Sequence, residues 1–251
     1  MISFELTDKI ALITGASRGI GEAIAMNFAA HGAECILVSR KIEGLEAVKQ
    51  KILDAGGKAE AMACHLGDLS QIQALSRHVS DTYGRLNILV NNAAANPYLG
   101  LMTGATPAAF DKTVEVNLKG PFFLIQQTVH LMEKDGGSII NVGSIGGISP
   151  GMFQGIYSIT KAGVIAMTKA YAKELAPKKI RVNALLPGLT ETRFSAALIE
   201  SEEIYKNALQ RIPMKRHAQP EEMAGAALYL ASEAASYTTG TTIICDGGTL
   251  A

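Results

Sequence analysis

Tyr157 and Lys161 stand four residues apart in a stretch that reads as a helix over roughly 154–175. Side chains at that spacing share one helical face, about a turn apart. A free tyrosine releases its proton only near pH ~10. A neighbouring ammonium stabilises the phenolate and lowers that value. The pair therefore predicts a tyrosine that works as a general acid or base. Ser144 follows an apolar run, Ser138–Val142, and stands where a hydroxyl can bond a substrate oxygen and stabilise developing charge. Asn117 lies inside a long helical pattern, where an asparagine can hold water against exposed carbonyls and link Lys161 to solvent.

A second cluster concerns phosphate. The run Ile10–Thr14 passes directly into Gly15, Ala16, Ser17, Arg18, Gly19, Ile20 and Gly21. Gly15 permits a tight turn off a strand, Gly19 a close approach to a pyrophosphate, and Gly21 close packing of helix on sheet. A helix N-terminus there offers unpaired N–H groups and partial positive charge to phosphates. The loop lacks the Gly-Lys-Ser/Thr ending of a triphosphate-binding loop, which argues against ATP or GTP. A site for NAD usually places Asp or Glu at the end of the second strand, on the ribose 2′-hydroxyl. Here Ser39, Arg40 and Lys41 occupy that place. Arg40, with Arg18 reaching from the first loop, favours the 2′-phosphate of NADP(H) over NAD(H).

The elements that must position these groups alternate. Buried-type strands are predicted at 10–14, 35–39, 58–64, 86–90, 138–142, 180–185 and 241–245. Helices are predicted at 19–30, 42–53, 69–83, 107–133, 154–175 and 221–230, with Pro121 kinking or dividing the long one. Repeated β–α alternation, with strands apolar throughout, predicts an α/β fold: one doubly wound, mostly parallel seven-stranded sheet with helices on both faces. Ligands on such sheets bind at the carboxyl ends of the strands. No linker, charge block or repeat divides the chain, so residues 1–251 are expected to form a single domain. The mixed stretch at about 190–215 is expected to be a substrate-binding lid.

Together these pieces make the chain resemble the short-chain dehydrogenase/reductase family. The pieces are the loop from Thr14 to Gly21, Asn91-Asn92-Ala93-Ala94, Asn117, Ser144, Tyr157-x-x-x-Lys161, and Pro187-Gly188-Leu189-Thr190. Their order and spacing agree along almost the entire chain. The resemblance implies a Rossmann fold and a catalytic tetrad of Asn117, Ser144, Tyr157 and Lys161. It implies that Lys161 also holds the nicotinamide ribose. Asn91 and Ala93 would line the adenosine side, and Ile20 would present its N–H near the pyrophosphate. Pro187, Gly188, Leu189 and Thr190 would contact the nicotinamide end. Two departures stand out. Ala94 replaces the family's frequent glycine. Where the family often has an aspartate for the adenine amino group, this chain reads Cys64, His65, Leu66, Gly67 and Asp68, which leaves His65, Asp68 or the backbone alone to serve there. The family is usually tetrameric, which implies a homotetramer, a dimer being the alternative, with Thr241–Cys245 and the C-terminal residues near such an interface.

Other readings are weaker. Ser158-x-x-Lys161 fits a penicillin-binding nucleophile motif, but the Lys-Thr-Gly and Ser-Asp-Asn partners are missing. Val142 replaces the first glycine of a Gly-x-Ser-x-Gly elbow around Ser144. A cofactor-binding protein without catalysis would keep the glycines and lose the tetrad. The five histidines show no ligand spacing, so no metal is expected. Lys and Arg number 23, as do Asp and Glu, which predicts neither nucleic acid nor anionic membrane as partner. Three widely spaced cysteines read as buried free thiols, and the N-terminus shows no signal-peptide pattern; a reducing cytoplasm fits both. Walls from Asn96, Pro97, Tyr98, Gly151, Met152 and Phe153, with lid residues Phe194, Ala196, Ala197, Leu198, Ile199 and Tyr205, predict a small-molecule alcohol or ketone without strong charge.

Overall fold

The computed structural model describes residues 2–251. Seven strands, β1 (Ile10–Thr14), β2 (Glu34–Ser39), β3 (Lys58–Ala63), β4 (Ile88–Asn91), β5 (Gly137–Val142), β6 (Ile180–Pro187) and β7 (Thr242–Cys245), form one sheet in the order β3-β2-β1-β4-β5-β6-β7. Every pairing is parallel. The strand order reverses between β1 and β4, and a crevice opens at such a switch point.

Period-two alternation distributes each central strand between two cores. Ala11, Ile13, Cys35, Leu37 and Val90 pack with α1 (Gly19–Ala30), α2 (Ile42–Asp54) and α9 (Glu221–Ala231). Leu12, Ile36, Val38, Leu89 and Ile139 pack with α3 (Leu69–Tyr83), α5 (Gly120–Thr128) and α6 (Gly155–Leu175) on the other face. Both faces are covered, which is why the central strands read as unbroken apolar runs. The edges depart from that pattern. β3 carries Lys58 and Glu60 and is partly exposed, and Ile244 of β7 is exposed.

The long helical pattern divides just before its proline, as expected. α4 (Pro107–Val114) runs into a widened π-helical turn at Glu115–Lys119, and α5 begins at Gly120. Pro121 follows at once and has no N–H for the carbonyls of Val116 and Asn117 in that turn, where the helical ladder is already disturbed. The stretch after β6 holds two helices, α7 (Ala196–Ile199) and α8 (Glu202–Arg211).

Candidate active site

A cleft of about 1060 Å³ opens along the carboxyl ends of the strands. Its wall includes the loop after β1, the end of β2, the loop after β4, the turn after β5, the start of α6 and the segment after β6. β5 ends at Val142, and the chain turns at once into a short 3₁₀ turn, Ile145–Gly147, with Ser144 at its cap. The Ser144 Oγ accepts from the Gly146 N–H at 3.0 Å, which fixes the hydroxyl at the cleft edge. That turn lies tightly on α6: a Cβ on Gly147 would stand 2.7 Å from the backbone carbon of Lys161.

Tyr157 and Lys161 are both buried on the facing side of α6. Lys161 Nζ stands 5.6 Å from the centre of the Tyr157 ring and donates to the Val142 carbonyl at 2.7 Å. Burial pushes the Tyr157 phenol up to about 12, against a lowering hydrogen bond with Ser144. Burial brings the Lys161 ammonium down to about 8. Desolvation dominates the phenol here, and the ammonium is directed at a carbonyl rather than at the phenol oxygen. Phe194, from the segment after β6, packs on the phenol with ring centres 5.2 Å apart.

Asn117 sits in the widened turn, fully buried. Its Oδ1 accepts from the Ala95 N–H at 2.7 Å, and its Nδ2 donates to the Ala95 carbonyl and to Thr160 Oγ1. This side chain clamps the loop after β4 to α6 one residue from Lys161. It makes no direct bond to Lys161.

The glycine-rich loop has the shape that a pyrophosphate requires. Gly15 and Gly19 both have positive φ, 67° and 59°. A Cβ on Gly15 would stand 2.7 Å from Asn92 Nδ2. Gly21 lies behind the wall, where a side chain would collide with the Gly15 carbonyl and the Asn92 amide. The cap residue of α1, Arg18, makes no side-chain bond to the first-turn N–H groups, so the helix start faces the cleft uncapped. Arg18, Arg40, Lys161, Arg193 and Arg211 line the cleft with no carboxylate among its described lining residues. An anionic dinucleotide fits this cradle by shape and by charge.

Gly15, Ser17, Arg18, Gly19, Ile20, Arg40, His65, Leu66, Ala93, Ser144, Tyr157, Lys161, Pro187, Gly188, Leu189 and Thr190 all reach the cleft wall. Four candidates do not. Gly21 and Asn117 stand behind it, as described. Lys41 instead caps α2, its carbonyl accepting from Ser39 Oγ. Asn91 turns inward, 4% exposed, and donates to Asn141 Oδ1 at 2.9 Å. Asp68 is spent on capping α3 through Ser70 and Gln71, which leaves His65 as the polar side chain at the expected adenine edge.

Four residues take roles that their motifs alone do not give. Thr14 Oγ1 donates to the Val90 carbonyl and accepts from the N–H groups of Asn92 and Ala93, joining the two loops across the switch point. Asn92 Nδ2 donates to the Thr14 and Gly15 carbonyls. Thr249 and Leu250 from the C-terminus line the cleft, although that segment was expected only near a subunit interface. The doubled asparagine of Asn91-Asn92 was the available signal, but spacing alone does not tell which of two neighbours faces the cleft.

This architecture belongs to the Rossmann-type class of nucleotide-binding α/β proteins, with a buried tyrosine and lysine beside the glycine-rich loop. Known proteins narrow the class. The family profile described as enoyl-(acyl carrier protein) reductase matches residues 15–249. The chain is 37% identical over 245 residues to dehydrogenase/reductase SDR family member 4 of Homo sapiens, covering 97% of this chain and 88% of that protein. It is 40% identical over 244 residues to a 3-oxoacyl-(acyl-carrier-protein) reductase of Thermotoga maritima, covering 97% and 98%. A gluconate 5-dehydrogenase from Burkholderia cenocepacia, solved in complex with NADP and tartrate, is similar with a TM-score of 0.94 at 30% identity, covering 98% of this chain and 97% of that one. The chain belongs to the short-chain dehydrogenase/reductase family and is an NAD(P)-dependent oxidoreductase.

Proposed function

We propose that this enzyme transfers a hydride between NADP(H) and a carbonyl or secondary alcohol, with Tyr157 as the general acid and base. One observation carries the reading: Tyr157, Ser144 and Lys161 share a cleft with the uncapped, glycine-lined start of α1. The nicotinamide, when bound, supplies or takes up the hydride. In reduction, Ser144 donates a hydrogen bond to the substrate oxygen, and Tyr157 transfers its proton to that oxygen as the carbon gains hydride. A phenol held protonated by burial is ready to give its proton to a newly formed alkoxide. In oxidation the same oxygen returns its proton to the Tyr157 phenolate. Lys161 places positive charge beneath the ring and stabilises that phenolate. Asn117 keeps the loop after β4 seated against α6, and Phe194 excludes water above the phenol.

The 2′-phosphate of NADP(H) is received by Arg40 and Arg18, and no carboxylate lines the cleft to take a free 2′-hydroxyl. Gly15, Ser17, Gly19 and Ile20 hold the pyrophosphate. His65, Leu66 and Ala93 border the adenosine, and Pro187–Thr190 border the nicotinamide. The segment at 190–215 is the substrate lid, and the substrate is a small carbonyl or alcohol. Exposed Tyr237 and Ile244, beside and on the edge strand β7, support self-association as a homotetramer. Among the described residues no helix is long and apolar enough to cross a membrane, in keeping with work in the cytoplasm. The test is a panel of ketones and alcohols, each followed by nicotinamide absorbance with NADPH/NADP and NADH/NAD in parallel. Turnover of at least one pair, faster with the phosphorylated cofactor, is expected. A panel without turnover on either cofactor, although both bind, contradicts the proposal.

A further inference from the structure

The helix that roofs the substrate end of the cleft has little to hold it down. α8 contains no buried residue, yet Ile204, Asn207, Ala208 and Arg211 from it line the cleft. α7, just before it, is a partition with space on both sides. Leu198 and the preceding Phe194 and Ser195 face the cleft, while Ala196, Ile199 and Glu200 face a second cavity of about 1050 Å³ lined also by α1 and α9. Such a segment can shift without displacing packed core. Its position must be set by a few polar ties.

The side-chain ties to α8 are few among the described residues. Lys215 Nζ donates to the carbonyls of Leu209 and Gln210, in the last turn. The other tie is a chain. The Tyr205 hydroxyl lies 2.7 Å from His217 Nδ1, and His217 Nε2 lies 3.0 Å from Glu191 Oε2. Hydrogen bonds from Gln219 and His217 hold the Glu191 carboxyl below the usual carboxylate range, so it accepts only. Nε2 therefore carries the imidazole proton, and Nδ1 accepts from the tyrosine. The three side chains form a fully matched relay. Its far end is fixed, because Glu191 N–H donates to the Ala218 carbonyl at 2.8 Å and Ala218 N–H to the Leu189 carbonyl at 2.9 Å. Leu189 and Thr190 are themselves cleft-lining residues.

We infer that Tyr205, His217 and Glu191 are positioning residues that latch α8 closed over the substrate end of the cleft. The inference rests on the proposed oxidoreductase reading for its effect on turnover, and on geometry alone for the latch. Tyr205 touches no reacting atom in this scheme. It sets how often the roof is closed. Loss of its hydroxyl removes one hydrogen bond, which shifts closure about five- to tenfold. The segment Leu189–Glu191 keeps its backbone bonds to Ala218, and the glycine-rich loop has no tie to α8 among the described hydrogen bonds, so affinity for the cofactor is unaffected.

The experiment compares wild type with Tyr205→Phe, Glu191→Ala and Glu191→Gln, each read by amide hydrogen exchange, NADPH Kd, and kcat and KM for a carbonyl substrate from the panel. Tyr205→Phe is expected to speed exchange of residues 202–211 about tenfold, with strand amides unchanged. KM is expected to rise about fivefold with NADPH Kd unaltered. Glu191→Ala should match it, whereas Glu191→Gln, which keeps an oxygen acceptor for the imidazole N–H, should restore near-native exchange. Unchanged exchange at 202–211 in Tyr205→Phe overturns the latch. Faster exchange without a change in KM overturns its role at the substrate end. Should the wild type turn over no carbonyl at all, the functional proposal falls, and exchange still decides the latch.

Discussion

Tyr157 is pulled in two directions: burial raises its phenol to about 12, and the hydroxyl of Ser144 pulls it down. Lys161 is the costlier neighbour. Its ammonium is buried against one carbonyl and brought down to about 8 from an ordinary 10.5. The sign of the linkage follows. Below pH 8 both folded and unfolded chains hold this proton. Between the two values the unfolded chain holds more of it than the folded one, so this group makes stability rise with pH. Relative to Lys161→Met, wild type should therefore gain up to about 3 kcal/mol of unfolding free energy between pH 7 and pH 10.5. Denaturant titrations of both proteins across that range check it; a gap that stays constant with pH removes the argument. Using the variant as reference cancels Cys35, whose thiol burial pushes up to about 12 and which opposes the trend. Arg40 gives a second residue-scale prediction. Arg40→Asp removes a charge-assisted partner for a 2′-phosphate, so NADPH affinity should fall about 10- to 100-fold while NADH binding holds or improves. Equal losses for both cofactors would assign Arg40 to the pyrophosphate or to folding.

At the scale of elements, the site depends on how closely the turn after β5 lies on α6. Gly147→Ala would put a Cβ 2.7 Å from the Lys161 backbone carbon and 2.8 Å from its oxygen. Neither atom can rotate away. The variant should lose about 1–3 kcal/mol of stability, and kcat should fall further than stability accounts for, because Ser144 and Lys161 are displaced together. Native kcat in a destabilised variant would separate the turn from the chemistry. The same scale shows what sequence makes legible. The spacing of Tyr157 and Lys161 gives their shared face, since an uninterrupted helix fixes it. The destination of the ammonium does not follow from spacing. It depends on Val142, nineteen positions earlier, which the fold alone brings near. Pro121 marks the division of the long helix, whereas the widened turn at Glu115–Lys119 that precedes it leaves no pattern of residue types. Which of Asn91 and Asn92 faces the cleft is not legible for a simple reason. At the end of a buried strand, neighbours point to opposite faces, and a one-residue offset decides which of them meets a ligand.

For the whole molecule, two apolar cores on a parallel sheet were readable because the central strands carry apolar residues at both parities. The doubly wound fold then fixes a cleft at the switch point without reference to any particular ligand. Less readable were α7 and α8, whose residues bury little and therefore lack a strong period. Their placement is a matter of a few hydrogen bonds. The C-terminal residues reach back to the cleft because Gly188 passes the Asp246 backbone closely, a Cβ there standing 2.7 Å from the Asp246 Cα, and no local motif announces that contact. The molecule thus sets a tightly packed glycine-rich loop and a helix without buried residues, α8, on the wall of one cleft, with Tyr157 in the same wall.

Its central claim is that the phenolic proton of Tyr157 moves while the cradle binds independently. Tyr157→Phe, assayed in single turnover with bound NADPH and a ketone substrate, measures that most directly. The account predicts a hydride-transfer rate lowered about 10²- to 10⁴-fold, with the Kd for NADPH within about twofold of wild type, the change being confined to one hydroxyl. A near-native transfer rate in the phenylalanine variant, with the cofactor bound as tightly as before, would contradict it.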